Sequence, residues 1–185
     1  MSGLSSEKLR RRLRELFTWQ GDRTDDASLA DMTGWWRDGQ VLAALGPALA
    51  ALVAEERPTV VLGIESRGSL LGALVGVQLG VGLLEVRKNR SPSADSDAWV
   101  QATTPPDYRD RHLRLGVRAR HLQAGERVLA VDDWVETGGQ MTGAKQLVER
   151  AGATWTGLAV VVDGSIRGDV RRRLQVRSLL HVRDL

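Results

Sequence analysis

Four short apolar runs, each ending in charged or polar residues, constrain this 185-residue chain more than any other feature. They read "TVVLGIESRG", "GLLEVRKN", "ERVLAVDDW" and "WTGLAVVVDG". Each is strand-sized and nearly continuous in apolar residues, the pattern of a strand covered on both faces. Between the first two lies "SLLGALVGVQLG", whose small and apolar residues suit a helix packed closely on a sheet; residues 140–151 form a helical stretch between the last two. Strands alternating with helices predict an α/β fold with a central, mostly parallel sheet flanked by helices.

Ligands of such sheets bind beyond the carboxyl ends of the strands. The polar residues gather there: Glu65, Ser66 and Arg67 after the first run, Arg87 and Lys88 after the second, Asp132 and Asp133 after the third, Asp163 after the fourth. Four strand ends are therefore expected to converge on one crevice.

The remaining segments fit around that sheet. Leu4, Leu9, Leu13, Leu16 and Phe17 recur at helical spacing among basic residues, which predicts an amphipathic helix docked on the domain. A second helix is expected over residues 38–56, stopped by Pro58. Residues 89–112, rich in Ser, Pro, Asp and Thr, are expected to be a structureless insertion acting as a mobile lid. Leu113, Leu115, Val117 and Ala119 then alternate with His112, Arg114, Arg118 and Arg120, the period of a half-exposed strand. Its arginine face has no interleaved aromatic residue for base stacking, so a solvated face is favoured over nucleic-acid binding.

Composition removes several classes. No cysteine is present and histidine occurs three times, which excludes a disulfide framework or thiolate metal site and argues against a zinc cluster. The first 17 residues carry charge at nearly every turn, so neither a signal peptide nor a membrane span is expected there, and a cytoplasmic home follows. With 42% apolar residues, the chain is sized for a single domain over residues 1–185. The net charge of +3 is carried largely by arginine, since lysine occurs only as Lys8, Lys88 and Lys145.

The stretch "VLAVDDWVETGGQ" carries the chemistry. Two adjacent carboxylates at the end of a buried strand need partners, and a ligand is the natural one. "GGQMTGAKQ" fails the P-loop pattern because Ala144 stands where the lysine belongs, and no G-x-G-x-x-G follows any strand. Thr137, Gly138 and Gly139 nevertheless suit a phosphate, with backbone N–H groups at a helix start, a hydroxyl, and glycines that let the backbone approach. Acids for vicinal hydroxyls and a cradle for a phosphate together describe a site for a ribose 5-phosphate.

At this point the chain resembles the type I phosphoribosyltransferases, whose signature of apolar strand, two acids and Thr-Gly is matched by "VLAVDDWVETGG". The likeness extends to their adenine/purine branch through "VVLGIESRGSLLGALVGVQLGVGLLEVRK" and "DMTGWWRDGQVLAAL". It implies Mg2+-dependent transfer of phosphoribosyl from phosphoribosyl pyrophosphate (PRPP) to a purine or purine-like base, in a protein that is commonly a homodimer. By that resemblance Glu65, Ser66, Arg67 and Gly68 form a pyrophosphate loop, aided by Arg87 and Lys88. Asp132 and Asp133 hold the ribose hydroxyls, Asp132 nearer a metal held mostly by substrate, and Glu136, Thr137, Gly138, Gly139 and Gln140 surround the 5-phosphate. Residues 1–40 become an N-terminal helix and hood, and Trp134, Ala30 and Asp31 belong to the base pocket.

Departures from the branch are equally specific. Glu136 resembles the proton-transfer acid of the 6-oxopurine members, Gln140 replaces a hydroxyl residue, and Arg109 falls where the adenine branch carries a glutamate. They motivate a second expectation, a PRPP-sensing regulatory or nucleic-acid-binding protein with little turnover.

Overall fold

The computed structural model describes residues 4–21, 29–88, 99–104, 112–165 and 168–185. Ser6–Glu15 (α1) is capped by Ser5 and buries Leu9 and Leu13, as the helical spacing predicts. Thr18–Gln20 (β1) pairs antiparallel with Leu29–Asp31 (β2), and Thr33–Arg37 (α2) leads into Gly39–Ala51 (α3). The buried Trp35 indole donates to the Leu13 carbonyl at 2.8 Å, and Arg12 pairs with Asp38 at 2.9 Å. Asp38 also accepts the Gln40 and Val41 N–H groups, so one carboxylate both caps α3 and ties it to α1. The helix expected over residues 38–56 ends at Ala51, and a 3-10 turn covers Ala54–Glu56.

Val60–Ile64 (β3), Arg67–Leu79 (α4) and Gly82–Lys88 (β4) follow, then Trp99–Thr103 (β5), Arg114–Arg118 (β6) and Arg127–Val135 (β7). Gly139–Arg150 (α5), Thr154–Asp163 (β8), Gly168–Leu174 (α6) and Val176–His181 (β9) complete the chain. The seven-stranded sheet has the order β5-β6-β4-β3-β7-β8-β9. Five strands, β4 through β9 in that order, run parallel, while β6 and β5 add antiparallel at one edge. The sheet is therefore mostly parallel and flanked by helices, as the alternation of runs predicts.

Consecutive residues of the central strands serve opposite faces. Val128 and Ala130 pack with Ala144 and Leu147 of α5, whereas Leu129 and Val131 pack with Leu45 and Leu49 of α3 and Leu71 and Val75 of α4. Every residue of β3 is buried. Truncating a fully buried leucine such as Leu129 is expected to cost about 2–5 kcal/mol.

Two elements differ from the sequence expectation. Trp99–Thr103, assigned to a structureless lid, is a strand registered against β6, with Val100 opposite Val117 and Ala102 opposite Leu115. Its neighbours rich in Ser and Pro mask the short run, and antiparallel pairing supplies order that local composition does not. The rest of the expected lid, apart from Thr104 and His112, lies outside the described residues. At the other edge α6 and β9 form from "GDVRRRLQVRSLLH", where dense arginine hides the buried Val170, Leu174, Val176, Leu179 and Leu180. Among the described residues no helix is long and apolar enough to cross a membrane.

Candidate active site

The carboxyl ends of β3, β4 and β7 open on a cleft of about 550 Å3. Glu65, Ser66, Arg67, Lys88, Asp132, Asp133, Trp134, Glu136, Thr137, Gly138, Gly139 and Gln140 all line it. Residues from three separate motifs thus share one wall.

The turn after β3 is built by close backbone contact. A Cβ on Gly63 would lie 2.4 Å from the Gly68 carbonyl oxygen, so the strand and the first turn of α4 can approach only with glycine there. Gly68 in turn faces Asp132, whose Oδ1 would be 3.2 Å from an added Cβ. Gly68 itself is buried and does not line the cleft. The Glu65 carboxylate accepts the Lys88 backbone N–H, pinning the end of β4 to this turn.

Lys88 lines the cleft, whereas its neighbour Arg87 does not. Adjacent strand residues point to opposite faces, and Arg87 pairs with Glu85 at 2.9 Å instead. Glu85 also accepts the Ser69 hydroxyl at 3.3 Å. The sequence groups Arg87 with Lys88; the pleat separates them.

Asp132 and Asp133 differ sharply. Asp133, 8% exposed, is ion-paired with Arg67, Nη1 to Oδ2 at 2.7 Å. Asp132 accepts the Asp133 backbone N–H at 3.0 Å, and its carboxyl is pushed well above the usual carboxylate range, first by burial and then by the charge of Asp133. The Lys88 ammonium opposes that shift. Asp132 is thus a carboxylate whose surroundings favour an additional cation.

Beyond β7 the chain turns through Glu136 and Thr137 into α5. Gly138 has φ of +70°, and a Cβ there would also lie 2.6 Å from Val170 Cγ1, so both backbone and space demand glycine. The Thr137 hydroxyl accepts the Gly139 N–H at 3.4 Å, and Thr142 donates to the Gly138 carbonyl at 2.8 Å. Gly139, Gln140 and Met141 of the first turn of α5 line the cleft, and the first N–H groups of a helix lack intrahelical partners, the arrangement that receives a phosphate. Glu136 is exposed at its rim.

Trp134 lines the cleft and is backed by two aromatic rings that sequence inspection did not single out for the site. Phe17 stacks on it with centroids 6.2 Å apart and planes 20° apart, and Trp19 meets it edge-on at 6.1 Å. Neither Ala30 nor Asp31 lines the cleft. Ala30 is half-buried, paired with Trp19 of β1 and packed against the core on the α3 and α4 side of the sheet, and Asp31 accepts from Thr33 N–H at 2.8 Å and Gln20 at 2.7 Å. Hydrogen bonds from Thr33 hold the Asp31 carboxyl below the usual range, with a smaller contribution from the Arg67 charge. Asp163 is 1% exposed at the end of β8, bound to Ser165 at 2.9 Å through the backbone N–H and 3.5 Å from Arg171 Nε, a structural role away from the cleft. Arg109 lies outside the described residues.

Among the described residues no cluster of three or more side chains could hold a metal ion. The donor set fits a cation held mainly by ligand oxygens, with Asp132 as the protein's carboxylate, since Asp133 is engaged by Arg67.

Comparison with known proteins agrees with this architecture. Residues 39–182 match the Phosphoribosyl transferase domain. The chain is 34% identical over 149 residues to an adenine phosphoribosyltransferase of Desulfitobacterium hafniense, spanning 80% of this chain and 82% of that protein. It is 38% identical over 147 residues to that of Streptomyces coelicolor, spanning 78% and 76%. The solved adenine phosphoribosyltransferase of Rhodothermus marinus aligns with a TM-score of 0.78 at 25% identity over 95% of this chain and 99% of that one. The enzyme of Giardia lamblia complexed with 9-deazaadenine gives 0.78 and 25% over 96% and 98%. The chain therefore belongs to the phosphoribosyltransferase family, as a type I enzyme of its adenine/purine branch.

Proposed function

We propose that this phosphoribosyltransferase moves the 5-phosphoribosyl group of PRPP onto a ring nitrogen of a purine, with adenine the first candidate, and releases pyrophosphate. The observation that carries the reading is the convergence of Arg67 and Lys88, Asp132 and Asp133, and the start of α5 on one cleft of about 550 Å3. The three groups match the three chemical parts of PRPP: pyrophosphate, ribose hydroxyls and 5-phosphate. The names of the curated relatives support the purine assignment.

The mechanism follows the charge. As the bond from C1 to the pyrophosphate oxygen breaks, its electron pair leaves with pyrophosphate and positive charge builds on the ribose ring. Arg67 and Lys88 face the growing negative charge, and the carboxylates of Asp132 and Asp133 face the positive one. The lone pair of the base nitrogen then forms the new bond to C1, and Glu136 at the rim takes the proton displaced from the base. The start of α5 with Thr137 and Gln140 anchors the 5-phosphate, so C1 is held at a fixed place relative to both groups. Mg2+, when bound with PRPP, would supply further neutralisation of the leaving group, with Asp132 as its protein neighbour. Trp134, supported by Phe17 and Trp19, offers an aromatic wall to the base.

The same reading makes the protein a cytoplasmic homodimer. The apolar side of α1 is buried within its own chain, but α4 leaves Leu70 and Val77 exposed at 52% and 85%, which supports α4 as the interface. Pyrophosphate release from PRPP and Mg2+ across adenine, hypoxanthine, guanine, xanthine and pyrimidines tests the assignment. Turnover confined to one purine supports it, and a pyrimidine preference sinks it.

A further inference from the structure

The ion pair between Arg67 and Asp133 joins two arms of the cleft that the proposed function assigns to different parts of PRPP. Arg67 opens α4 and its side chain is 50% exposed; Asp133 lies two residues before the end of β7 and its side chain is 11% exposed. Their contact at 2.7 Å is direct, and the two residues lie 66 positions apart in the chain. Each is therefore the other's partner and, on that functional reading, also a ligand group for substrate.

The two charges are not equivalent. A molecule that offers only phosphates must draw Arg67 away, leaving a nearly buried carboxylate without its cation beside the already disfavoured charge of Asp132. A molecule that offers only a sugar phosphate must compete with Arg67 for Asp133. PRPP supplies both replacements at once, phosphate oxygens for the guanidinium and hydroxyl donors for the carboxylate. We infer that the Arg67–Asp133 pair is a specificity element that admits a ligand carrying vicinal hydroxyls and a pyrophosphate together and discriminates against either half alone. The inference rests on the proposed function of the cleft. Its consequence for turnover is that departure of pyrophosphate lets the pair re-form and compete with the bound nucleotide.

Calorimetric titration of ribose 5-phosphate and of inorganic pyrophosphate, each alone, tests this on wild type, Arg67→Gln, Asp133→Asn and Asp132→Asn. Arg67→Gln is expected to bind ribose 5-phosphate about two- to fivefold tighter than wild type, the range a half-exposed ion pair supports. That sign opposes simple electrostatics, which predicts weaker anion binding after loss of a cation. Asp133→Asn is expected to tighten pyrophosphate binding beyond the gain in Asp132→Asn, which removes a neighbouring charge that Arg67 does not pair with. Equal or weaker ribose 5-phosphate binding by a folded Arg67→Gln overturns the inference, and so does a loss of pyrophosphate affinity in Asp133→Asn. Should Asp133→Asn fail to fold, the Arg67→Gln titration decides alone. Failure of wild type to bind PRPP or either half would instead overturn the functional reading, and the inference with it.

Discussion

The two ends of the cleft are made in different ways. At the α4 end the chemistry lies in side chains that already have partners: Arg67 on Asp133, and Glu65 on the Lys88 backbone. At the α5 end it lies in backbone, with Gly138 at φ +70° setting the first helical turn and Thr137 bracing it. A site built from paired charges must exchange partners to bind, while one built from fixed N–H groups needs no rearrangement. On the proposed function, selectivity falls to the first end and anchoring to the second.

Substitutions at the two ends should therefore have different effects. The largest effect is expected from Glu136→Gln, which keeps the shape of the rim and removes only its basicity: kcat should fall about 10²–10⁴-fold with PRPP affinity unchanged. Steady-state kinetics beside a PRPP titration checks this, and a fall in affinity alone would move Glu136 from proton transfer to binding. Gly138→Ala attacks the backbone end. A left-handed residue and a 2.6 Å clash with Val170 should destabilise the protein by about 1–3 kcal/mol and weaken PRPP binding, read by denaturant unfolding and titration.

Asp132→Asn probes the charged end with the opposite sign. Burial and Asp133 raise the Asp132 carboxyl in the folded protein, so wild-type stability is fullest below the ordinary carboxylate range and is lost as pH rises through the raised value. The variant has no such loss. Its Tm should exceed that of wild type by about 2–4 °C at neutral pH, with the advantage vanishing in acid, while activity falls. The smallest effect is expected from Trp134→Leu, which removes aromatic contacts of about 0.5–1.5 kcal/mol and should raise KM for the base severalfold without changing KM for PRPP.

Much of this site was legible because its signals are local. The runs ending at Ile64, Lys88 and Val135 announce buried strands, and the acids near the end of the third run line the cleft, as their place in the sequence suggests. What stayed hidden depends on pairing across distance. The pleat that turns Lys88 inward and Arg87 towards Glu85 is set by the register of β4 between β3 and β6, not by composition. The contact of Phe17 and Trp19 with Trp134 joins the start of the chain to the end of β7. β5 and β9 are edge strands whose order comes from a neighbour, and their polar residues gave no run to notice. The Arg67–Asp133 pair is of the same kind, two residues expected to meet substrate that meet each other as well.

On the proposed function, one cleft holds both halves of PRPP and delivers its C1 to a purine. Phosphorus NMR of PRPP, Mg2+ and adenine with the wild-type protein measures this directly, since PRPP, pyrophosphate and nucleoside monophosphate are resolved together. Transfer to the base yields pyrophosphate and the monophosphate in equal amounts and only when the purine is present. PRPP that binds tightly yet stays intact with every purine would contradict it and make the protein a PRPP sensor on a transferase fold.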